Sequence, residues 1–295
     1  MTLLKRTIVT TLVALICATS AVASSPVATE IPLPDVPAEL REPRARANYI
    51  IEHFWDGVGS FSDFSRQAVE QSFADYISVF DVADESGRRK AAAALVDKMA
   101  SNGDDAAMMS EIIDKYLFST DSPVESEDLY ILFLTEMTAS AKLDEAYKIR
   151  PRWQLDALLK NRPGNTVEDF SFVTRDGRST TLYNELSQAQ KKNAGMYIML
   201  IFYDPDCDHC RVVLDKYIND RALNSDISKG AMRVIAIYSG EERELWENHA
   251  PTLPESWIVG MEDGSIQENG TFLIRTLPTT YIVGADKKVL IKDFK

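Results

Sequence analysis

Cys207-Asp208-His209-Cys210 and, further along, Leu277-Pro278-Thr279-Thr280-Tyr281-Ile282-Val283 decide the reading of this chain. Two cysteines separated by two residues carry either redox or metal chemistry. Ahead of them, Met196–Tyr203 is a continuous apolar run, which predicts a buried central strand. Cys210–Tyr217 then continues with helical spacing. Cys207 is therefore expected at a helix N-terminus, where unpaired amides and the helix dipole favour a thiolate. It reads as the exposed attacking sulfur, and Cys210, one turn further in, as the shielded sulfur that resolves a mixed disulfide. A protonated His209 would favour the thiolate further. Asp204, Asp206 and Asp208 oppose it, and each effect is worth about a kcal/mol for partly exposed groups. A proline before an apolar strand is costly inside a sheet unless it marks an entry turn, and Pro278 stands at such a place.

The metal alternative is weak. Tetrahedral zinc takes four ligands, commonly cysteine and histidine. Apart from Cys17 near the N-terminus, the chain offers Cys207 and Cys210 with three scattered histidines, His53, His209 and His249. His53 lies beside an apolar helical stripe, and His249 stands where a helix would end before Ala250-Pro251. Neither reads as a ligand, and no metal or other cofactor is expected.

Residues 1–23 read as a signal peptide. Lys5 and Arg6 form the charged start, Thr7 to Ala18 the apolar stretch, and Ala21-Val22-Ala23 the cleavage site. Two alternatives are an uncleaved anchor and a lipoprotein signal at Cys17. The anchor has too short an apolar run. The lipoprotein reading lacks small residues in Ala14-Leu15-Ile16. Cleavage would leave Cys207 and Cys210 as the only cysteines, so no other disulfide could form. The expected location is the periplasm, with membrane association if the segment is retained or lipidated. The net charge of −13 makes nucleic acid and anionic membrane surfaces poor partners.

Residues 24–43 carry five prolines and read as an extended tether. Residues 44–160 are helical in pattern throughout. Ile50, Ile51, Phe54, Trp55 and Val58 form one apolar stripe, and Val69, Phe73, Tyr76, Ile77 and Phe80 another. Ser122-Pro123-Val124-Glu125 looks like a capping box opening a further helix. About six helices are expected, paired as antiparallel hairpins. Asn161-Arg162-Pro163-Gly164-Asn165 breaks the pattern. Beyond it, Phe170–Val173 and Thr180–Tyr183 predict a hairpin, Met232–Tyr238 a second buried strand, Glu241–His249 a helix, and Ser256–Gly260 a short strand. Thr280–Val283 and Lys288–Ile291 close with a last hairpin. Strands alternating with helices indicate an α/β domain over 163–295.

At these residues the chain resembles the thioredoxin-like superfamily, and within it the exported TlpA/ResA-like thiol–disulfide oxidoreductases. The pieces that carry the likeness are Gly164 to Phe170, Asp176-Gly177, Leu182, Leu186, Asp204-Pro205-Asp206-Cys207 and Leu277-Pro278-Thr279-Thr280. The resemblance covers residues 163–295. It implies an α/β thioredoxin-like fold with a mixed central sheet, and a cis Pro278 facing a redox-active Cys207–Cys210 pair. It also implies a Leu277-Thr279 segment that pairs with an extended substrate. Departures are Asp206 where thioredoxins have tryptophan, Ile201 where they have a buried aspartate, and Val213 where cytochrome-maturation relatives have glutamate. The segment 30–160 resembles an uncharacterised helical domain fused to such modules in exported proteins of Gram-negative bacteria.

The expected function is thiol–disulfide exchange with protein thiols and disulfides, supplied by a redox partner such as a membrane thiol relay. Two other readings stand beside it. One is a binding or assembly protein whose helical domain contacts a partner and whose dithiol is a clasp or sensor. The other is a peroxide reader through a Cys207 sulfenic acid. Thioredoxin folds normally end in a helix, whereas this sequence stops at Asp293-Phe294-Lys295. The helical domain or a partner is therefore expected to cover that face of the sheet.

Overall fold

The computed structural model describes residues 28–293. The expected signal segment, 1–23, lies outside the described residues. Six α-helices build the first domain: α1 (Pro43–His53), α2 (Arg66–Ser78), α3 (Glu85–Met99), α4 (Gly103–Ile113), α5 (Glu127–Ala139) and α6 (Ile149–Leu159). A π-helical turn, Asp114–Phe118, prolongs α4. The apolar stripes meet in one core, with Val69, Phe73, Tyr76, Phe80, Leu95, Met109, Ile112, Tyr130 and Phe133 buried. Each such side chain contributes roughly 1.5–3 kcal/mol by leaving water.

Helix starts follow short polar side chains. Asp84 Oδ1 accepts from the Gly87 amide at 2.8 Å, and Asn102 Oδ1 from the Asp105 amide at 2.8 Å. The capping box expected at Ser122 is not where a helix begins. Ser122 Oγ donates to Tyr116 O at 2.6 Å, and Ser126 caps α5 by accepting from Leu129 N at 3.3 Å. Glu125 is thereby released for a contact with the second domain. The described part of the proline-rich segment, from residue 28 on, is docked on the helical domain: Ala28 bridges Phe64 and Ile31 is buried in the helical core.

The second domain holds β1 (Ser171–Thr174), β2 (Ser179–Thr181), α7 (Leu182–Lys192), β3 (Tyr197–Tyr203), α8 (Asp208–Ile218), α9 (Arg221–Ser228), β4 (Met232–Ser239), α10 (Arg243–His249), β5 (Ile258–Glu262), α11 (Ser265–Glu268), β6 (Thr279–Val283) and β7 (Val289–Lys292). They form one mixed sheet in the order β2-β1-β5-β4-β3-β6-β7. β3, β4 and β5 run parallel, and the outer pairs are antiparallel.

Alternation along β3 sends Ile198, Leu200 and Phe202 to one core with Leu182 and Leu186. Met199, Ile201 and Tyr203 go to the other core with Cys210, Leu214 and Trp246. The hairpin is shorter than its sequence suggests. Thr181 Oγ1 accepts from Asn184 N at 3.2 Å and starts α7, so Leu182 and Tyr183 are helical. β5 lies two residues later than expected, where Gly260 admits the Phe172 ring at a place any Cβ would occupy.

The linker and the 270–275 segment join the domains. Asn161 adopts φ 51°, donates through Nδ2 to Thr271 O at 2.7 Å, and accepts from Glu168 N at 2.8 Å. Leu273 packs on the helical core. Arg275, only 14% exposed, donates to Glu125 Oε1 at 2.7 Å and to Phe118 O at 3.2 Å. Lys292 Nζ meets Glu127 Oε2 at 2.6 Å on the last strand. Near that pair, Leu290 and Ile291 remain 44% and 48% exposed.

Candidate active site

The site is built at the C-terminal end of β3. Asp204 Oδ1 accepts from Asp206 N at 2.8 Å, and Asp204 O from Cys207 N at 3.2 Å. These turns redirect the chain from strand to helix within the four residues Asp204 to Cys207. Cys207 is the N-cap of α8, with extended φ −82° and ψ 111°, and its Sγ accepts from Cys210 N at 3.1 Å. Helix amides and dipole thus converge on this sulfur. Both cysteines are free thiols.

Cys210 is fully buried on the face that holds Met199, Ile201 and Leu214. Its thiol is pushed up to about 12, first by loss of solvation and then by the neighbouring Cys207. Cys207 is half-buried. The two sulfurs are therefore unequal in accessibility, as their positions one turn apart on a helix require. Ile201 contributes no proton acceptor beneath Cys210, in keeping with the departure read from the sequence.

Strand register brings the second motif to the first. Thr279 pairs with Phe202 and Thr280 with Ile201 across β6 and β3. That pairing sets Leu277 and Pro278 beside the end of β3, and Leu277 O lies 3.7 Å from Cys207 Sγ. The Leu277–Pro278 peptide is cis, as the resemblance implied. Thr279 is buried, and its hydroxyl donates to Thr276 O at 2.5 Å.

His209 is exposed on α8, and Asp208 is paired with Arg211 at 3.0 Å. A depression of about 460 Å³ on one side is lined by Asp204, Asp206, Cys207, Ser239, Gln267 and Thr276. Sequence reasoning did not single out Ser239, Gln267 or Arg275 at the site. The position of Arg275, three residues before Pro278, is the one local hint available. His53 and His249 lie elsewhere: His53 pairs with Asp56, and His249 ends α10 with Nδ1 buried and unpartnered.

The sheet, the dithiol at a helix N-terminus and the opposed cis-proline define a thioredoxin-like fold. Residues 13–161 match the family model described as a domain of unknown function, DUF5106. The chain belongs to that family. Among solved structures, a thioredoxin-like protein from Bacteroides caccae is 26% identical over 90% of this chain and 94% of its own, with a TM-score of 0.72. That likeness spans both domains. A conserved protein of unknown function from Bacteroides fragilis is 34% identical over 45% of this chain and 93% of its own, with a TM-score of 0.41. A thiol-disulfide oxidoreductase from Bacteroides fragilis is 21% identical over 44% of this chain and 91% of its own, with a TM-score of 0.37. No curated protein matches.

Proposed function

We propose that this chain is an exported thiol–disulfide oxidoreductase acting on protein substrates. The observation that carries this reading is the pairing of a half-buried Cys207 at a helix N-terminus with a buried Cys210 whose amide binds its sulfur. In the reducing direction the Cys207 thiolate attacks a substrate disulfide. One S–S bond forms, one breaks, and a substrate thiolate leaves. Cys210 then loses its proton and attacks Cys207 Sγ. The second substrate thiolate leaves, and two electrons have passed from the dithiol to the substrate. The oxidising direction reverses each step.

Leu277, Pro278 and Thr279 position the substrate chain beside Cys207. His209, when protonated, stabilises the thiolate. The cycle uses no soluble cofactor and is closed by a redox partner, for which a membrane thiol relay in the periplasm is the proposed source.

The test is a glutathione redox series on protein from Ser24 onward, with thiols trapped by alkylation. A reversible two-electron couple that disappears in Cys207→Ser is expected. Absence of a couple would remove the enzyme reading and favour the helical domain as a binding module. Export is checked by sequencing the N-terminus of protein from the periplasmic fraction, which is expected near Ser24. Recovery only from the cytoplasm, with residues 1–23 attached, would sink it.

A further inference from the structure

Beside the dithiol the two domains enclose a groove. His209, Val212, Val213 and Lys216 fall at three- and four-residue spacing, so they share one face of α8. That face looks across a cavity of about 640 Å³ to Thr120, Asp121 and Glu125, in the connection between α4 and α5. Leu277 to Thr280 form its floor. The depression on the Asp206 side, which Cys207 lines, shares Arg275, Thr276 and Leu277 with it, so the two adjoin along that segment. The helical wall is fixed in place. Arg275 stacks over the Phe118 ring at 5.4 Å and binds both Glu125 and Phe118 O.

The charges along this path are unbalanced. Asp121, Asp204, Asp206 and Asp293 have no ion-pair partner among the described residues, whereas Glu125 and Asp208 are paired with Arg275 and Arg211. Lys216 is the single lining cation left without an ion pair among the described residues. Val212, 67% exposed, adds an apolar surface on the α8 side.

We infer that the helical domain is the second wall of the substrate site, and that the groove takes an extended cysteine-bearing segment with a lysine or arginine near the cysteine. This rests on the exchange reading above. The substrate sulfur meets Cys207, an apolar neighbour lies on Val212, and the basic side chain reaches the carboxylate of Asp121. An acidic neighbour in the same place is repelled.

The test uses two disulfide-bridged peptides identical except for lysine or glutamate flanking the cysteine, reduced by the full chain. The lysine peptide is expected to have a kcat/KM about three- to fivefold higher at low ionic strength, with the ratio falling in salt. Asp121→Asn is expected to cut the ratio about twofold. Asp81→Asn, which removes the same charge elsewhere on the helical domain, leaves the ratio unchanged. Equal rates for both peptides, a preference for glutamate, or a ratio that ignores Asp121→Asn would overturn the inference while leaving the oxidoreductase reading intact. Failure of both peptides to exchange would overturn both.

Discussion

Two helix N-termini in this molecule hold an acceptor at the same kind of electrostatic focus, and they treat it differently. At α4 the carboxylate of Asp105 is buried and saturated. Ser60 Oγ donates to both oxygens at 2.9 Å, Ser62 N to Oδ1 at 3.1 Å, and Asn102 Nδ2 to Oδ2 at 2.9 Å. At α8 the sulfur of Cys207 accepts from the Cys210 amide alone among the described contacts, and one side of it opens to solvent. A saturated acceptor pins a loop to a helix. An acceptor with unused capacity, held by the same dipole, is free to react. The saturated acceptor belongs to the helical domain and the open one to the thioredoxin-like domain.

The sharpest way to break that contrast is to exchange the atoms. Cys207→Ser is expected to lower insulin reduction by about a thousandfold or more, because serine is a far weaker nucleophile at neutral pH. Its urea midpoint is expected to stay close to that of the parent. A variant retaining a tenth of the activity would place the reactive sulfur elsewhere.

The second prediction uses the unequal thiols. With Cys210 raised to about 12, only a small fraction is thiolate at neutral pH. Resolution of a mixed disulfide on Cys207 is expected to quicken about tenfold per pH unit from pH 7 to 9. Stopped-flow release of the second thiol measures this, and a flat profile would show that the proton leaves through a relay.

Asp105→Ala, by contrast, is expected to cost about 2–3 kcal/mol in urea unfolding, because Ser60, Ser62 N and Asn102 lose a buried partner. Exchange activity per folded molecule is expected to hold. Arg275→Ala acts at the join between the regions. A loss of about 1–2 kcal/mol is expected, with a helical-domain unfolding transition that separates from that of the sheet. Two coincident transitions in both proteins would show that the domains are coupled mainly through Leu273 and the linker.

A smaller effect tests the end of α10. Burial lowers the His249 imidazole below its usual value, with Arg211 adding to the shift. Its stabilising contribution is present above pH 6.5 and is lost as pH falls toward its folded value. His249→Phe is expected to flatten the fall in melting temperature between pH 7 and 5.

What was legible in the sequence was whatever depends on neighbours along the chain. The apolar run ending at Tyr203, the dithiol after it and Pro278 before β6 each carry their meaning within a few residues. So does the break at Asn161–Asn165. The misread segments are those where a local signal competed with a distant one. Thr180-Thr181-Leu182-Tyr183 has strand composition, but Leu182 and Leu186 gain more by packing under the sheet, and Thr181 serves as the cap. Ser122 to Glu125 has the pattern of a capping box, yet Glu125 is held by Arg275, far away in sequence. Nothing near Glu125 encodes that arginine. The groove between the domains was invisible for the same reason, since its two walls are brought together only by the fold.

The sulfur that caps α8 is also the atom that the proposed exchange would occupy covalently. On the proposed exchange reading, a mixed disulfide at Cys207 changes the acceptor that the Cys210 amide meets, and that hydrogen bond is expected to weaken. The Cys210 amide resonance in a nitrogen-labelled sample is therefore a built-in reporter of redox state. It is expected to distinguish the reduced pair, a mixed disulfide and a closed disulfide without any reagent touching the sulfur.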